Sequence, residues 1–404
     1  MLIIPSRLHP GRPSRRRQPD AGNYFGSGSS FDSLNRRDRC VAQRRRFAAS
    51  GENADCAGQH GRVADSMMQI TNDRLAAILD GMAGTRVLVI GDLVLDEHRL
   101  GVVARLSREA PLPVIEQRDL RHLPGGAGNL AANLCALGAQ VAVMGVVGDD
   151  RRGEKLIELI GGGGADTGQI IVAAGRATPT KLRIWASGDR QFNYQQVARI
   201  DTPAPSPVPD PIVADLAARL RDAAASVDAL VYSDYDGGVV DPTVASAAVQ
   251  ASGGRALRVA DSHGGFERFH GFDALTPNQP EAESFLGRRF KTLAEARAGA
   301  KEMRVRLGCR QVLLTMGAQG MILADESVTP LHIPAVAGAG IADPSGAGDS
   351  VAAAFAAAQA AGAEPAEAAL LANLAGAAAV AEIGVAAISA KDILAVAAAG
   401  LARS

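Results

Sequence analysis

The sequence predicts an α/β fold: a mostly parallel sheet with helices on both faces, plus a small antiparallel sheet that serves as a lid. Three observations carry this. From Arg86 onward, short β-branched runs alternate with helical stretches, the pattern of a parallel sheet covered on both sides. Two segments, 99–123 and 179–200, break that rhythm with strand-like alternation and no helix between strands. A chain of 404 residues with 47% hydrophobic content has enough apolar material for one large core or two smaller ones.

In order, Val87-Leu88-Val89-Ile90 reads as a first buried strand. An alanine-rich helix over 130–137 leads into a strand at 141–144. Strands at 229–232, 258–260, 274–276 and 312–315 continue the series. The 99–123 segment contains Pro111 and Pro113, and the second irregular segment holds strands at 181–186 and 191–197. Together they form a flap suited to covering a site and excluding water. The alanine-rich runs 351–363 and 370–381 read as core helices. Alanine is too weakly apolar for a membrane span, and Glu364, Glu367 and Glu382 interrupt or end the runs.

Residues 1–66 differ in character. They carry Arg15-Arg16-Arg17 and Arg44-Arg45-Arg46, many Gly and Ser, and no apolar periodicity. We expect a disordered extension there, lying upstream of the true start at Met67 or Met68, and one folded domain over 67–398 with lid segments at about 97–123 and 178–200. Leu2-Ile3-Ile4 is too short for a signal peptide. The net charge of −1 gives no case for nucleic acid or membrane partners. Cys40, Cys56, Cys135 and Cys309 form no CxxC pair, in keeping with a reduced, cytoplasmic protein.

In open α/β sheets, ligands gather at the carboxyl ends of the strands. Asp92, Asp96, Asp149, Asp234, Asn278 and Glu281 all fall at such ends. The most informative stretch is Asp343-Pro344-Ser345-Gly346-Ala347-Gly348-Asp349, which opens an apolar helix. Small residues there leave backbone N–H groups uncovered at a helix N-terminus, an anion site. A carboxylate at its lip, Asp349, makes sense as a base that deprotonates a hydroxyl while the amides hold a phosphoryl group.

Other motifs admit two readings. Gly126-Ala127-Gly128-Asn129-Leu130-Ala131 fits a dinucleotide pattern, with Asp149 about twenty residues on where a ribose-binding acid belongs, which keeps an NAD-dependent oxidoreductase as an alternative. Against it, Arg121-His122-Leu123-Pro124 rather than a buried strand precedes the glycines. Asn278 and Glu281 are placed either to hold Mg²⁺ through water or as a capping box. Thr315-Met316-Gly317-Ala318-Gln319-Gly320 ends a strand in a glycine turn. There is no GxxxxGK[ST] and no HExxH, and His98, His122 and His263 receive no role.

Taken together these residues resemble the ribokinase-like, or PfkB, carbohydrate kinases. The match runs from Gly125-Gly126-Ala127-Gly128-Asn129 through Gly145-Val146-Val147-Gly148-Asp149, the Asn278/Glu281 stretch and the 315–320 turn to the 343–349 signature, in family order. Within the family the branch that phosphorylates heptose 7-phosphate is most similar. Gly91-Asp92-Leu93-Val94-Leu95-Asp96, Arg105-Leu106-Ser107-Arg108, Thr180-Lys181-Leu182-Arg183 and Ser233-Asp234-Tyr235 carry that likeness. That branch often adds a C-terminal nucleotidyltransferase domain, so a chain ending at Ser404 is expected to be a stand-alone kinase. Two lysines of the pattern are absent, near Asp236-Gly237 and in the Asp261-Ser262-His263-Gly264 turn.

The resemblance implies a ribokinase-like three-layer fold, ATP and Mg²⁺ as cofactors, and a homodimer formed through the lid sheet. It makes Asp349 the base and the amides of Gly346, Ala347 and Gly348 the cradle of the migrating phosphoryl group. Asp96, Gly126 and Asn129 would bind the sugar. Arg105, Arg108, Lys181 and Arg183 would read a phosphate already on the substrate, or else protect strand edges by charge. Asn278, Thr315, Gly317, Gly320 and Asn373 would line the nucleotide cleft, Glu281 and Asn278 would serve Mg²⁺ through water, and Asp343 and Ser345 a monovalent cation, K⁺. The implied reaction is phosphorylation of the anomeric hydroxyl of heptose 7-phosphate. The alternatives are another sugar or nucleoside kinase of the family, and a degenerate sugar-phosphate or nucleotide-binding protein.

Overall fold

Val87 and Val89 point to one side of the central sheet, Leu88 and Ile90 to the other, and each side has its own apolar core. This follows from the two-residue period of a strand. In the computed structural model, which describes residues 70–187, 194–205, 207–251, 255–336, 346–381 and 387–401, that sheet has nine strands.

The chain begins with α1 (Asn72–Met82), β1 (Arg86–Gly91), β2 (Leu93–Leu106) and β3 (Pro113–Gly126). Next come α2 (Ala127–Ala136), β4 (Gln140–Gly148), α3 (Arg151–Gly162) and β5 (Asp166–Ala173). Strands β6 (Thr180–Ser187) and β7 (Gln195–Thr202) precede α4 (Asp210–Ala224) and β8 (Ala229–Asp234). Then follow α5 (Pro242–Ala251), β9 (Leu257–Ser262), β10 (Ala274–Leu275), α6 (Gln279–Leu286) and α7 (Leu293–Leu307). The last elements are β11 (Gln311–Thr315), β12 (Met321–Ala324), β13 (Leu331–Ile333), α8 (Ala347–Ala360), α9 (Pro365–Ala381) and α10 (Ala390–Leu401).

The main sheet has the order β13-β12-β11-β10-β9-β8-β1-β4-β5 and is parallel except for the β11/β12 and β12/β13 pairs. The switch point is β1, flanked by β4 and β8, so its carboxyl end is where a ligand crevice forms. One core holds α1, α2, α8 and α9; the other holds α4, α6, α7 and the aromatic trio Phe266, Phe269 and Phe272. Every residue of α8 from Asp349 to Ala358 is buried. Alanine makes this workable, because its small side chain lets α2, α9 and the sheet approach α8 closely on all sides.

The lid is a second sheet, β3-β2-β6-β7. Its β2/β3 and β6/β7 pairs are antiparallel and its central β2/β6 pair is parallel. The expected second lid strand at 191–197 begins at Gln195, while 191–193 lie outside the described residues. One residue, Asp92, separates β1 from β2, so the chain passes straight from the main sheet into the lid. Residues directly paired across strands share a face. Asp96, Lys181 and Arg183 lie on the inner face, and by register Leu120, Leu182, Ile184 and Ile200 lie on the outer one. There Leu120 is 42% and Ile200 56% exposed.

Candidate active site

The carboxyl ends of the central strands, the inner face of the lid and the N-terminus of α8 enclose one cleft of about 270 Å³. Asp349 sits at its floor, at the third position of α8, and is 3% exposed. Asn129 Nδ2 donates to its Oδ2 at 2.6 Å, and the Tyr235 hydroxyl reaches both oxygens at 3.1 Å. Burial pushes the Asp349 carboxyl up to about 6; the Asn129 and Tyr235 hydrogen bonds and the His263 and Lys181 charges hold it from rising further. Gly346 precedes α8 with φ 78° and offers no side-chain cap, and a Cβ at Gly348 would meet open space. The first N–H groups of the helix are thus free of side-chain caps and face the cleft, an arrangement able to bind an anion.

The lid brings Asp96 and Arg183 together as an ion pair with little solvent exposure on either side chain. Lys181 Nζ lies 4.8 Å above the Tyr235 ring. Its pKa is lowered, chiefly by burial and then by Arg199. Gly125 and Gly126 are required by close packing: a Cβ at the first would collide with the Asp96 carboxylate, and at the second, φ 58°, with the Asp92 carbonyl. The expectation that no strand precedes these glycines is corrected, because β3 runs through Gly126 directly into α2. That strand belongs to the lid rather than the main sheet, and Asp149 is exposed outside the cleft. The geometry of a dinucleotide turn is therefore missing.

Asn278 and Glu281 form a complete capping box: Glu281 N donates to Asn278 Oδ1 at 2.9 Å and Asn278 N to Glu281 Oε2 at 2.8 Å. Glu281 Oε1 also takes Asn278 Nδ2 at 2.6 Å and His263 Nδ1 at 2.8 Å. Only Oε2 keeps a lone pair in reserve, which suits a hydrated Mg²⁺ held through water and leaves little room for direct ligation. Behind them Asp261 accepts from Thr276 at 2.7 Å. Burial and then the Asp349 charge push its carboxyl up.

Thr315 lines the cleft, and Asn278 pairs with it as an isolated parallel bridge. Gly317 and Gly320, expected at the nucleotide side, do not line this cleft; they shape the turn after Thr315, with φ 54° and 87°, and a Cβ at Gly320 would strike the Ile333 carbonyl. Asn373 does not line the cleft: its Nδ2 donates to the Pro334 carbonyl at 2.8 Å, so it braces the chain after β13. Arg105 and Arg108 are exposed near the far end of β2, with Arg105 roughly 30 Å along the strand from Asp96. The structure does not bring them to this cleft. Asp343 and Ser345 lie outside the described residues.

Sequence reasoning assigned nothing to Tyr235, His263 or Asp261, which all line the cleft. Tyr235 had a signal, its place after a strand end, but its bond to Asp349 spans 114 positions. The two absent lysines also find a physical setting. Gly237 N donates to Asp92 Oδ2 at 2.8 Å, and a Cβ at Gly237 would collide with that carboxylate, so this loop has no space for a lysine there. At the other position His263 stands edge-on to Tyr235 with ring centroids 4.4 Å apart, its pKa raised chiefly by the hydrogen bond to Glu281.

The fold is of the ribokinase-like class, and the cleft sets a buried carboxylate at a helix N-terminus, an arrangement suited to phosphoryl transfer to a hydroxyl. Residues 85–392 match the pfkB family of carbohydrate kinases, and the chain belongs to that family. It is 38% identical over 285 residues to the Bifunctional protein HldE of Pelobacter propionicus, covering 70% of this chain and 57% of that protein. The chain thus spans little more than half the length of that curated relative. Among solved structures it resembles Arabidopsis thaliana ribokinase complexed with ribose and ATP, with a TM-score of 0.60, 21% identity, and coverage of 78% of this chain and 98% of that one. It also resembles Escherichia coli phosphofructokinase-2 in complex with potassium, with a TM-score of 0.63, 18% identity, and coverage of 79% and 99%.

Proposed function

We propose that the protein transfers the γ-phosphoryl group of ATP to the anomeric hydroxyl of a heptose 7-phosphate. The observation that carries the reading is Asp349: a buried carboxylate of raised pKa, at the uncapped N-terminus of α8, facing a lid that presents Lys181 and Arg183. Similarity to the HldE protein supports the choice of sugar.

In this reading Asp349 takes the hydroxyl proton as the sugar oxygen bonds to the γ-phosphorus and the bond to the β-phosphate oxygen breaks, releasing ADP. The amides of Gly346, Ala347 and Gly348 stabilise charge on the migrating group. Asp96, Gly126 and Asn129 orient the sugar; Lys181 and Arg183 bind its distal phosphate. Thr315 lines the nucleotide side, while the turn of Gly317 and Gly320 shapes the chain just beyond it and Asn373 braces the segment after β13. Asn278 and Glu281 would hold a hydrated Mg²⁺ through its waters, which would offset phosphate charge. A K⁺ at Asp343 and Ser345 belongs to the same proposal, supported by the potassium complex of the related fold.

A homodimer through the apolar outer face of the lid is also proposed. In such a pair Arg105 and Arg108 act on the partner's cleft, since their own is out of reach. We place the enzyme in the cytoplasm and the folded domain at 67–398. The binding-protein alternative rested on the missing lysines, and the intact Gly346-Ala347-Gly348-Asp349 run favours the enzyme.

The test is ATP turnover with Mg²⁺ against heptose 7-phosphate, fructose 6-phosphate, ribose, adenosine and no sugar. Turnover confined to heptose 7-phosphate and abolished in Asp349→Asn is the expected result. Turnover with an unphosphorylated sugar instead would discard the phosphate-reading role of Lys181 and Arg183. ATP binding without turnover on any sugar would favour the binding protein.

A further inference from the structure

Asn133 lies one helical turn beyond Asn129, is fully buried, and does not line the cleft. Its side chain is saturated. Nδ2 donates to the Asn129 carbonyl at 3.0 Å and to Asn129 Oδ1 at 3.2 Å, while Oδ1 accepts from Ser350 Oγ at 3.0 Å and from the Ile388 backbone N–H at 3.0 Å.

The orientation of such a chain is normally ambiguous, since amide oxygen and nitrogen can be exchanged. Here one end removes the ambiguity. A backbone N–H can only donate, so the atom of Asn133 facing Ile388 must be its oxygen. The nitrogen then faces Asn129, whose own oxygen is thereby occupied. Asn129 is left with its NH₂ toward Asp349, the arrangement seen at 2.6 Å. Turned the other way, Asn129 would set an amide oxygen against a buried carboxylate, a repulsive contact with no solvent to relieve it.

We propose that Asn133 is a positioning residue that locks the amide of Asn129 and so supplies Asp349 with a permanent hydrogen-bond donor. The device ties the base to two distant parts of the chain, Ser350 on α8 and the segment at Ile388. It rests on the reading of Asp349 as the base, but the lock is a property of the carboxylate whatever the acceptor sugar. Removing it lets Asn129 rotate and leaves the ionised carboxylate less well solvated. Four other groups face Asp349: Tyr235 after β8, Asp261 and His263 at the end of β9, and Lys181 on the lid. Asn133 touches none of them in the contacts described above.

The experiment is a ¹³C-carboxyl NMR titration of the full chain, with the Asp349 signal identified by its loss in Asp349→Asn. In Asn133→Leu the Asp349 midpoint is expected to rise by about one pH unit, a roughly tenfold weaker acid. Asn133→Asp keeps the shape and the contacts to Ser350 and Ile388 but adds a buried carboxyl whose charge would raise the midpoint by itself, so the neutral Asn133→Leu is the variant that decides. Ser350→Ala, the mildest change, should move it by less. The acid limb of turnover should follow the midpoint, with KM for ATP within about twofold. Unmoved midpoints in the folded variants overturn the lock. An Asp349→Asn enzyme that still phosphorylates sugar overturns the base instead, and the titration separates the two failures.

Discussion

The Tyr235 hydroxyl bridges both carboxylate oxygens of Asp349 at 3.1 Å, and the same ring carries Lys181 on its face and His263 at its edge. One aromatic side chain therefore touches the proposed base, the lid and the turn that lacks the family lysine. Tyr235→Phe removes a donor that holds the Asp349 pKa down. The acid limb of turnover should move to higher pH, with activity at pH 6 falling several-fold more than at pH 8. An unchanged limb would detach Tyr235 from the base.

Asp349→Asn should fold and lose about 10²- to 10⁴-fold in kcat, the usual contribution of a general base. It should also be more stable at neutral pH. The Asp349 pKa is raised from 3.8 to about 6 on folding. Its favourable contribution is thus complete below the unfolded value and is lost as pH rises through the folded one. At pH 8 the asparagine should gain on the order of 1–3 kcal/mol, and the gain should vanish below about pH 4. Thermal melts at the two pH values check this; a variant less stable at pH 8 would contradict the buried-charge account.

In the wild type the same shift places the acid limb of kcat/KM near pH 6, because only the ionised carboxylate accepts a proton and kcat/KM reports the free enzyme. Turnover that stays flat down to pH 4.5 would mean the carboxylate is not the group that limits the rate.

Asp236 is the non-glycine residue with positive φ, 62°, among the described residues. An aspartate tolerates the left-handed region at a cost that glycine avoids. Asp236→Gly should therefore raise stability by up to about 1 kcal/mol in urea unfolding, with activity intact, and a destabilised variant would show that Asp236 makes an offsetting contact.

Charging the outer face of the lid tests the dimer. Ile200→Asp should convert a dimer in light scattering into a monomer and, if Arg105 and Arg108 serve the partner's cleft, raise KM for the phosphorylated sugar. A wild type that is already monomeric would remove both ideas.

Much of this was legible locally. The 343–349 signature and the alanine run after it needed no tertiary information, and α8 begins at Ala347, within the signature. The capping box at Asn278 and Glu281 could be read from spacing alone, and both of its bonds form. What sequence could not supply was long-range pairing. No turn links β2 to β6, so nothing local specified that they run parallel. The chain after Gly91 looked like a strand end, yet it resumes as β2 after one residue, because leaving a sheet needs a change of direction and not a loop. Asn133 resembled any polar residue on an alanine-rich helix. Its importance lies in partners more than 200 positions away.

Asp92, the single residue between the two sheets, grips both sides of its own junction. Its carbonyl accepts from Ala127 N at 3.0 Å, and its carboxylate gathers the N–H groups of Tyr235, Gly237 and Val239 at 2.8, 2.8 and 3.2 Å. Lid strand β2 therefore starts at the residue that also fastens the loop bearing Tyr235, and Tyr235 in turn donates to Asp349, so a single carboxylate joins the root of the lid to the proposed base.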